Sequence, residues 1–127
     1  MAGKVGSADD HRLTVALTFD AESFWLFSAK AGSPSAVSRG TYGAREGVPR
    51  ILKLLGKYGL PATFFIPGHT ADHHPDVVRS IAVAGHEIGH HGYLHEPPNF
   101  LTPEEERTMI ERGIEALERV VGKRPRG

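Results

Sequence analysis

Short apolar runs alternate with amphipathic helical segments along this chain, and that alternation constrains its fold more than any other feature. LTVALTF (Leu13 to Phe19) is β-branched and aromatic and is bounded by charge, which predicts a strand buried on both faces. VPRILKLLGKYG places Val48, Ile51, Leu52, Leu55 and Tyr58 at helical spacing, with Pro49 in the first turn and Gly59 just past the end. PATFFIP (Pro61 to Pro67) reads as a second buried strand. PDVVRSIAVAG reads as a second helix that stops at Gly85, and HEIG (His86 to Gly89) as a brief third strand. Thr102 to Glu105 spells T-x-x-E with Pro103 at the first helical position, a capping box that opens a third helix. Its apolar face is Met109, Ile110, Ile114, Leu117 and Val121, and Gly122 ends it. The order β-loop-α-β-α-β-α implies right-handed crossovers and parallel strands, hence an α/β fold. Three strands cannot close a barrel, and a full β/α barrel takes roughly 250 residues. A chain of 127 residues is then either a small open sheet or the first part of something larger.

Composition narrows the function. Lys plus Arg (15) balances Asp plus Glu (15), so there is no electrostatic footprint for nucleic acid or an anionic membrane. With no Cys, a metal must sit on His, Asp or Glu. The N-terminus lacks the basic-then-apolar layout of a secretory signal, and no apolar run could span a bilayer. A cytoplasmic protein with a flexible segment over residues 1–12 is expected, and a homo-oligomer is compatible with it. From Asp20 to Arg45 no regular period is visible, which is long for a structureless connection and points to a functional or partly ordered loop.

Seven of the eight His lie between His69 and His95; only His11 falls outside. In parallel α/β folds, sites gather at the carboxyl ends of strands. Asp20 and Glu22 follow the first expected strand, His69 the second, and His90, His91 and His95 the third. A single His there would read as a polar loop group, but a pair with two strand-end carboxylates favours a metal site. His91 and His95 at i, i+4 plus one carboxylate make a two-His, one-carboxylate set with positions left open for water and substrate. A second, unligated carboxylate can then take the proton from the water.

His86-Glu87-Ile88-Gly89-His90 spells HExxH, the zinc-protease signature, which needs both imidazoles on one helical face. Gly85, Gly89 and Gly92 argue against a helix there, at roughly 1 kcal/mol each in a helix interior. His73 and His74 read as neutral, exposed loop residues before a helix. His69 is balanced between pocket lining and a packed polar group. Phe24, Trp25 and Phe27 form a cluster that could pack over the sheet edge or present a platform to a sugar. Gly40, Gly43 and Gly47 are only a weak phosphate signal, because no Gly-Lys-Ser/Thr follows.

TFDAE (Thr18 to Glu22), ATFFIPG (Ala62 to Gly68) and GHEIGHHGYLHE (Gly85 to Glu96) together resemble the polysaccharide deacetylase family, the chitin-oligosaccharide deacetylase-like carbohydrate esterases. The resemblance runs from about Leu13 to the end. It implies the N-terminal β/α units of a distorted β/α barrel, incomplete in this chain, over residues 1–127. It also implies hydrolysis of N- or O-acetyl groups on carbohydrate with Zn²⁺ or another divalent ion such as Co²⁺, Ni²⁺, Mn²⁺ or Fe²⁺. Carried over residue by residue, Asp20 resembles the catalytic base, and His91 and His95 the imidazole ligands. The family's usual second Asp is here Ala21, so the third ligand becomes Glu22. That resembles an acid-x-acid subgroup with cytosolic deacetylase-like and ureide- or imide-hydrolysing members. Trp25, His69 and Tyr93 are candidate substrate contacts. The resemblance places an Arg-Ala-Pro motif that orients the catalytic Asp, and a general-acid His, beyond Gly127, so the 127-residue piece alone is expected to be inactive. The expectation is a metal-dependent amide hydrolase acting on non-peptide C–N bonds of an acetylated sugar. The alternatives are a hydrolase of cyclic imides or ureides on the same fold, and a catalytically silent metal- or sugar-binding module.

Overall fold

A computed structural model describes residues 13–22 and 41–127 of the chain. Three strands, β1 (Thr18–Asp20), β2 (Thr63–Ile66) and β3 (Glu87–His90), form one parallel sheet in the order β1-β2-β3. Helices α1 (Val48–Tyr58), α2 (Gly68–His73), α3 (Pro75–Val83) and α4 (Pro103–Val121) connect and follow them. A five-residue π-helical turn, Gly43–Gly47, runs directly into α1, and a 3₁₀ turn, Pro98–Phe100, precedes α4. The sheet is open, as three strands require. Among the described residues no helix is long and apolar enough to cross a membrane.

Local chemistry sets the element ends as expected. Pro stands in the first turn of α1, α3 and α4. Gly59 (φ 63°) and Gly122 (φ 73°) close α1 and α4 in the left-handed region, where a side chain would be strained. The capping box forms: Thr102 Oγ1 accepts from the Glu105 N–H, and Glu105 Oε2 accepts from the Thr102 N–H at 2.8 Å.

The two faces of the sheet differ. Register pairs Asp20 with Phe65 and Phe65 with Gly89, so these three form one row across the inner face. Phe19, Phe64 and Ile66 alternate onto the opposite face. There Phe64 and Ile66 are fully buried with Val78, Ile81 and Leu117, and Phe19 stacks on Phe64 at 5.1 Å. A β-carbon on Gly89 would lie 2.5 Å from the Phe65 ring, so glycine is what lets that ring lie across β3.

Several expectations shift. β1 is shorter than Leu13 to Phe19: the ladder begins where Leu17 O accepts from the Thr63 N–H, and Leu13 (92%) and Val15 (79%) are exposed. Among the described residues β1 pairs with β2 alone, and its three residues read exposed, intermediate, exposed, so the expected burial on both faces is not seen there. Tyr58 leaves the core face of α1 and is 60% exposed. In α4 the buried face is Gly113, Ala116 and Leu117, while Ile110 is 40% exposed. Small residues win there because α2 and α4 cross closely: a β-carbon on Gly68 would lie 2.8 Å from Gly113 Cα.

Candidate metal centre

The carboxyl end of β1 delivers the acids. The parallel ladder continues one residue past Asp20, with the Ala21 N–H donating to Phe65 O at 2.9 Å. Extended backbone then alternates side chains. Ala21 packs against the core, and Asp20, the last strand residue, lies on the opposite face. An acid at position 21 would stand where Ala21 packs against the core. Gly43 supports Glu22 from the π-helical turn, where an added β-carbon would lie 3.1 Å from Glu22 O.

The carboxyl end of β3 delivers the imidazoles through the loop His91 to His95. Gly92 (φ 71°) and His95 (φ 62°) both adopt left-handed backbone. For His95 this is costly and persists only when surrounding contacts fix it. The result brings Glu22 Oε1 to 3.3 Å from His91 Nε2 and 3.1 Å from His95 Nε2. The two rings meet edge-on with centroids 4.6 Å apart. All three ligand atoms lie within 4.8 Å of one another. Two imidazole nitrogens and one carboxylate oxygen so placed suit a divalent ion with open positions, so the donor set fits the metal that the sequence implies. Among the described residues this is the one such grouping of three His or acidic residues. Asp20 is exposed on the inner face, two residues before Glu22. A cavity of about 350 Å³ opens beside the imidazoles, lined by Glu96, Pro97, Leu101 and Met109 among others.

The other histidines have other surroundings. His86 precedes β3 and packs on Phe64, with ring centroids 5.5 Å apart. His90 ends β3 against Gly113 of α4. Four residues of strand separate them by roughly 13 Å, so the HExxH spelling carries no zinc-protease site. Burial pushes the His90 imidazole below its ordinary pKa; nearby His91 adds to this and Glu96 opposes it. His73 is not in a loop: it ends α2, stacked on His69 at 3.9 Å, with Nδ1 2.9 Å from His69 O. His74 caps the join to α3.

Tyr93 is not presented to the cavity. It is 6% exposed, its hydroxyl donates to Asp72 Oδ2 at 3.0 Å, and the Arg112 guanidinium lies 3.6 Å over its ring. In sequence Tyr93 is a candidate substrate contact, but its ring is buried and its hydroxyl is bonded to Asp72. His69 is partly buried beside it, donating its backbone N–H to Tyr93 O at 2.9 Å. Trp25 lies outside the described residues, as do His11, Phe24, Phe27, Gly40 and residues 1–12. Sequence reasoning missed Asp72 and Glu96; Glu96, directly after His95, was open to notice.

The family model for polysaccharide deacetylases matches residues 7–127. The chain belongs to the polysaccharide deacetylase family. It is 41% identical over 109 residues to a Helicobacter pylori protein named peptidoglycan deacetylase, an alignment covering 85% of this chain and 37% of that one. A crystal structure of a Mycobacterium smegmatis protein, provisionally named a polysaccharide deacetylase, superposes with a TM-score of 0.79 at 49% identity. It covers 87% of this chain and 40% of that one. A structure of Puue allantoinase superposes equally well, with a TM-score of 0.79 at 29% identity, over 87% of this chain and 43% of the other. The chain thus spans about two fifths of the length of these relatives, and its three parallel strands with their helices superpose on part of the structures of those neighbours.

Proposed function

We propose that the protein containing this chain removes acetyl groups from N-acetylated carbohydrate, with Glu22, His91 and His95 holding a divalent cation and Asp20 acting as general base. The observation that carries this reading is the convergence of one carboxylate oxygen and two imidazole nitrogens, all within 4.8 Å, at the carboxyl ends of β1 and β3. A cation held there would polarise the acetyl carbonyl and lower the pKa of a water toward about 7. Asp20, at the carboxyl end of β1 two residues before Glu22, takes a proton from the attacking water. The water oxygen joins the carbonyl carbon, the C–N bond breaks, and acetate and a free amine leave. By the family resemblance, the proton that the amine needs comes from a His outside this chain. The cavity beside the imidazoles has the size range of small-molecule sites and gives the sugar room to approach.

The test is metal content and acetate release in the complete protein. Glu22→Ala is expected to lose bound Zn²⁺ and acetate release together. Asp20→Asn is expected to keep the metal and lose turnover on N-acetylglucosamine oligomers. Unchanged metal content in Glu22→Ala overturns the ligand assignment.

A second reading, hydrolysis of a ring amide or ureide, is favoured by the likeness to Puue allantoinase. It uses the same ligands and base and differs in substrate. Turnover of allantoin or a cyclic imide, with none of acetylated oligosaccharides, would select it.

A further inference from the structure

The loop that carries both imidazoles is gripped from behind at several points. The first two N–H groups of α2, Gly68 and His69, donate to Gly92 O at 3.0 Å and Tyr93 O at 2.9 Å. One turn later, Asp72 at the other end of α2 accepts the Tyr93 hydroxyl. Asp72 is itself fixed from α4, its Oδ1 lying 2.7 Å from Arg119 Nη2. Beyond the loop, Glu96 turns back so that Oε2 accepts the Tyr93 backbone N–H at 3.1 Å. Apart from the Arg119 contact, which holds Asp72, each of these meets Tyr93 or its immediate neighbour Gly92, midway between the two imidazoles. None touches Glu22 or a ligand nitrogen.

We propose that Tyr93, anchored by Asp72 and Glu96, is the positioning residue that holds His91 and His95 at Glu22 and thereby sets the affinity of the cation site. The left-handed backbone at His95 makes such a device necessary. A non-glycine residue with φ of 62° relaxes unless its surroundings over-determine it, and relaxation would swing an imidazole off the carboxylate. The buried Tyr93 ring fixes the middle of the loop, and the two carboxylates fix the ring's hydroxyl and its backbone. Removing the hydroxyl alone leaves the ring's packing against Gly68 and beneath Arg112 intact, so the effect falls on loop geometry more than on the core. This inference rests on the reading of Glu22, His91 and His95 as a cation site.

The experiment titrates Co²⁺ into the metal-free complete protein, reading affinity by chelator competition and ligand geometry from the visible absorption band. Tyr93→Phe and Asp72→Asn are each expected to weaken Co²⁺ binding about tenfold, at the low end of what outer residues do to metal sites, and to shift the band. The double variant is expected to bind no more weakly than either single one, because both remove the same link. Glu96→Gln, which keeps an acceptor for the Tyr93 N–H, is expected to retain most of the affinity. Affinity and band unchanged in both Tyr93→Phe and Asp72→Asn overturn the proposal, even if the thermal midpoint falls, since that would be a purely structural role. Glu22→Ala separates the two levels: loss of Co²⁺ binding there with Tyr93→Phe unchanged removes the positioning role alone. Undiminished binding in Glu22→Ala removes the cation site as well.

Discussion

A β-carbon on Gly113 would lie 2.6 Å from Gly92 O and closer still to the His90 ring. The carbonyl belongs to the loop that carries His91 and His95, so it cannot move without moving His91. Gly113→Ala is therefore expected to destabilise the protein by about 1–3 kcal/mol, the usual range for overpacking, despite the better helix propensity of alanine. Gly56 in α1 is the control, with nothing within 4 Å of an added β-carbon. Gly56→Ala is expected to stabilise by about 0.5–1 kcal/mol. Urea denaturation midpoints of the two variants against the parent check both signs. Residues of these two kinds look identical in sequence, because what separates them is a contact with a segment far away in the chain. Glu22, His91 and His95 were legible for the opposite reason. The two-residue period of a strand and the rule that sites lie at strand ends act locally, and they carry side chains to one place without any knowledge of packing. Tyr93 shows the limit of that logic: its place between His91 and His95 in sequence is the same whether its ring faces a cavity or a core.

The six-residue α2 escaped periodicity because GHTADH is too short to display an apolar stripe and is poor in strong helix formers. Its role is nonetheless specific, since both its ends grip the ligand loop. It also concentrates imidazoles. Burial, then the nearby His73, lowers the His69 pKa, with Asp72 opposing, and burial followed by His73 lowers that of His74. The sign follows directly. With folded values below the ordinary 6.5, the unfolded chain takes up protons first. The stability these groups contribute is complete above about pH 6.5 and is lost as pH falls from there through the folded values. Asp72 acts in a lower window. Burial alone would raise its pKa, but bonds from Arg119 and Tyr93 outweigh that and leave it below 3.8. Its contribution is present above that value and fades as pH falls further. The metal-free protein is thus expected to lose denaturant resistance as pH falls below about 6.5, and His69→Gln to flatten that slope. A parent midpoint that stays constant over that fall in pH would contradict it. The longer elements needed no such rescue: capping box, helix-initial Pro and left-handed Gly ends are all local signals, and each marked an end of α1, α3 or α4 correctly.

At the scale of the molecule, alternation of strands and helices was enough for a parallel sheet, whereas barrel membership came from motif resemblance and then from the family match. No local rule could have shown that the ladder starts only at Leu17 and leaves Leu13 and Val15 exposed among the described residues, because that depends on which elements lie beside them. The same long-range arrangement determines what a cation does to stability. Glu22 and His91 are 69 residues apart in sequence, and β1 and β3 are opposite edges of the sheet. Their ligand atoms converge only when β1, β2 and β3 are all in register, so a cation on this set favours the native state over every partly unfolded form that separates the strands. For an ion at a hundred times its dissociation constant, that linkage amounts to about 2.7 kcal/mol, less any binding to the unfolded chain. Zn²⁺ is accordingly expected to raise the urea midpoint of the complete protein by an amount that grows with the logarithm of its concentration, and a chelator to reverse it. Glu22→Ala is expected to abolish the Zn²⁺ dependence while leaving the metal-free midpoint near that of the parent, since its carboxylate is not part of the core. If the midpoint of the parent were indifferent to Zn²⁺, the three side chains would be a polar cluster on a barrel edge and not a staple between its first and third strands.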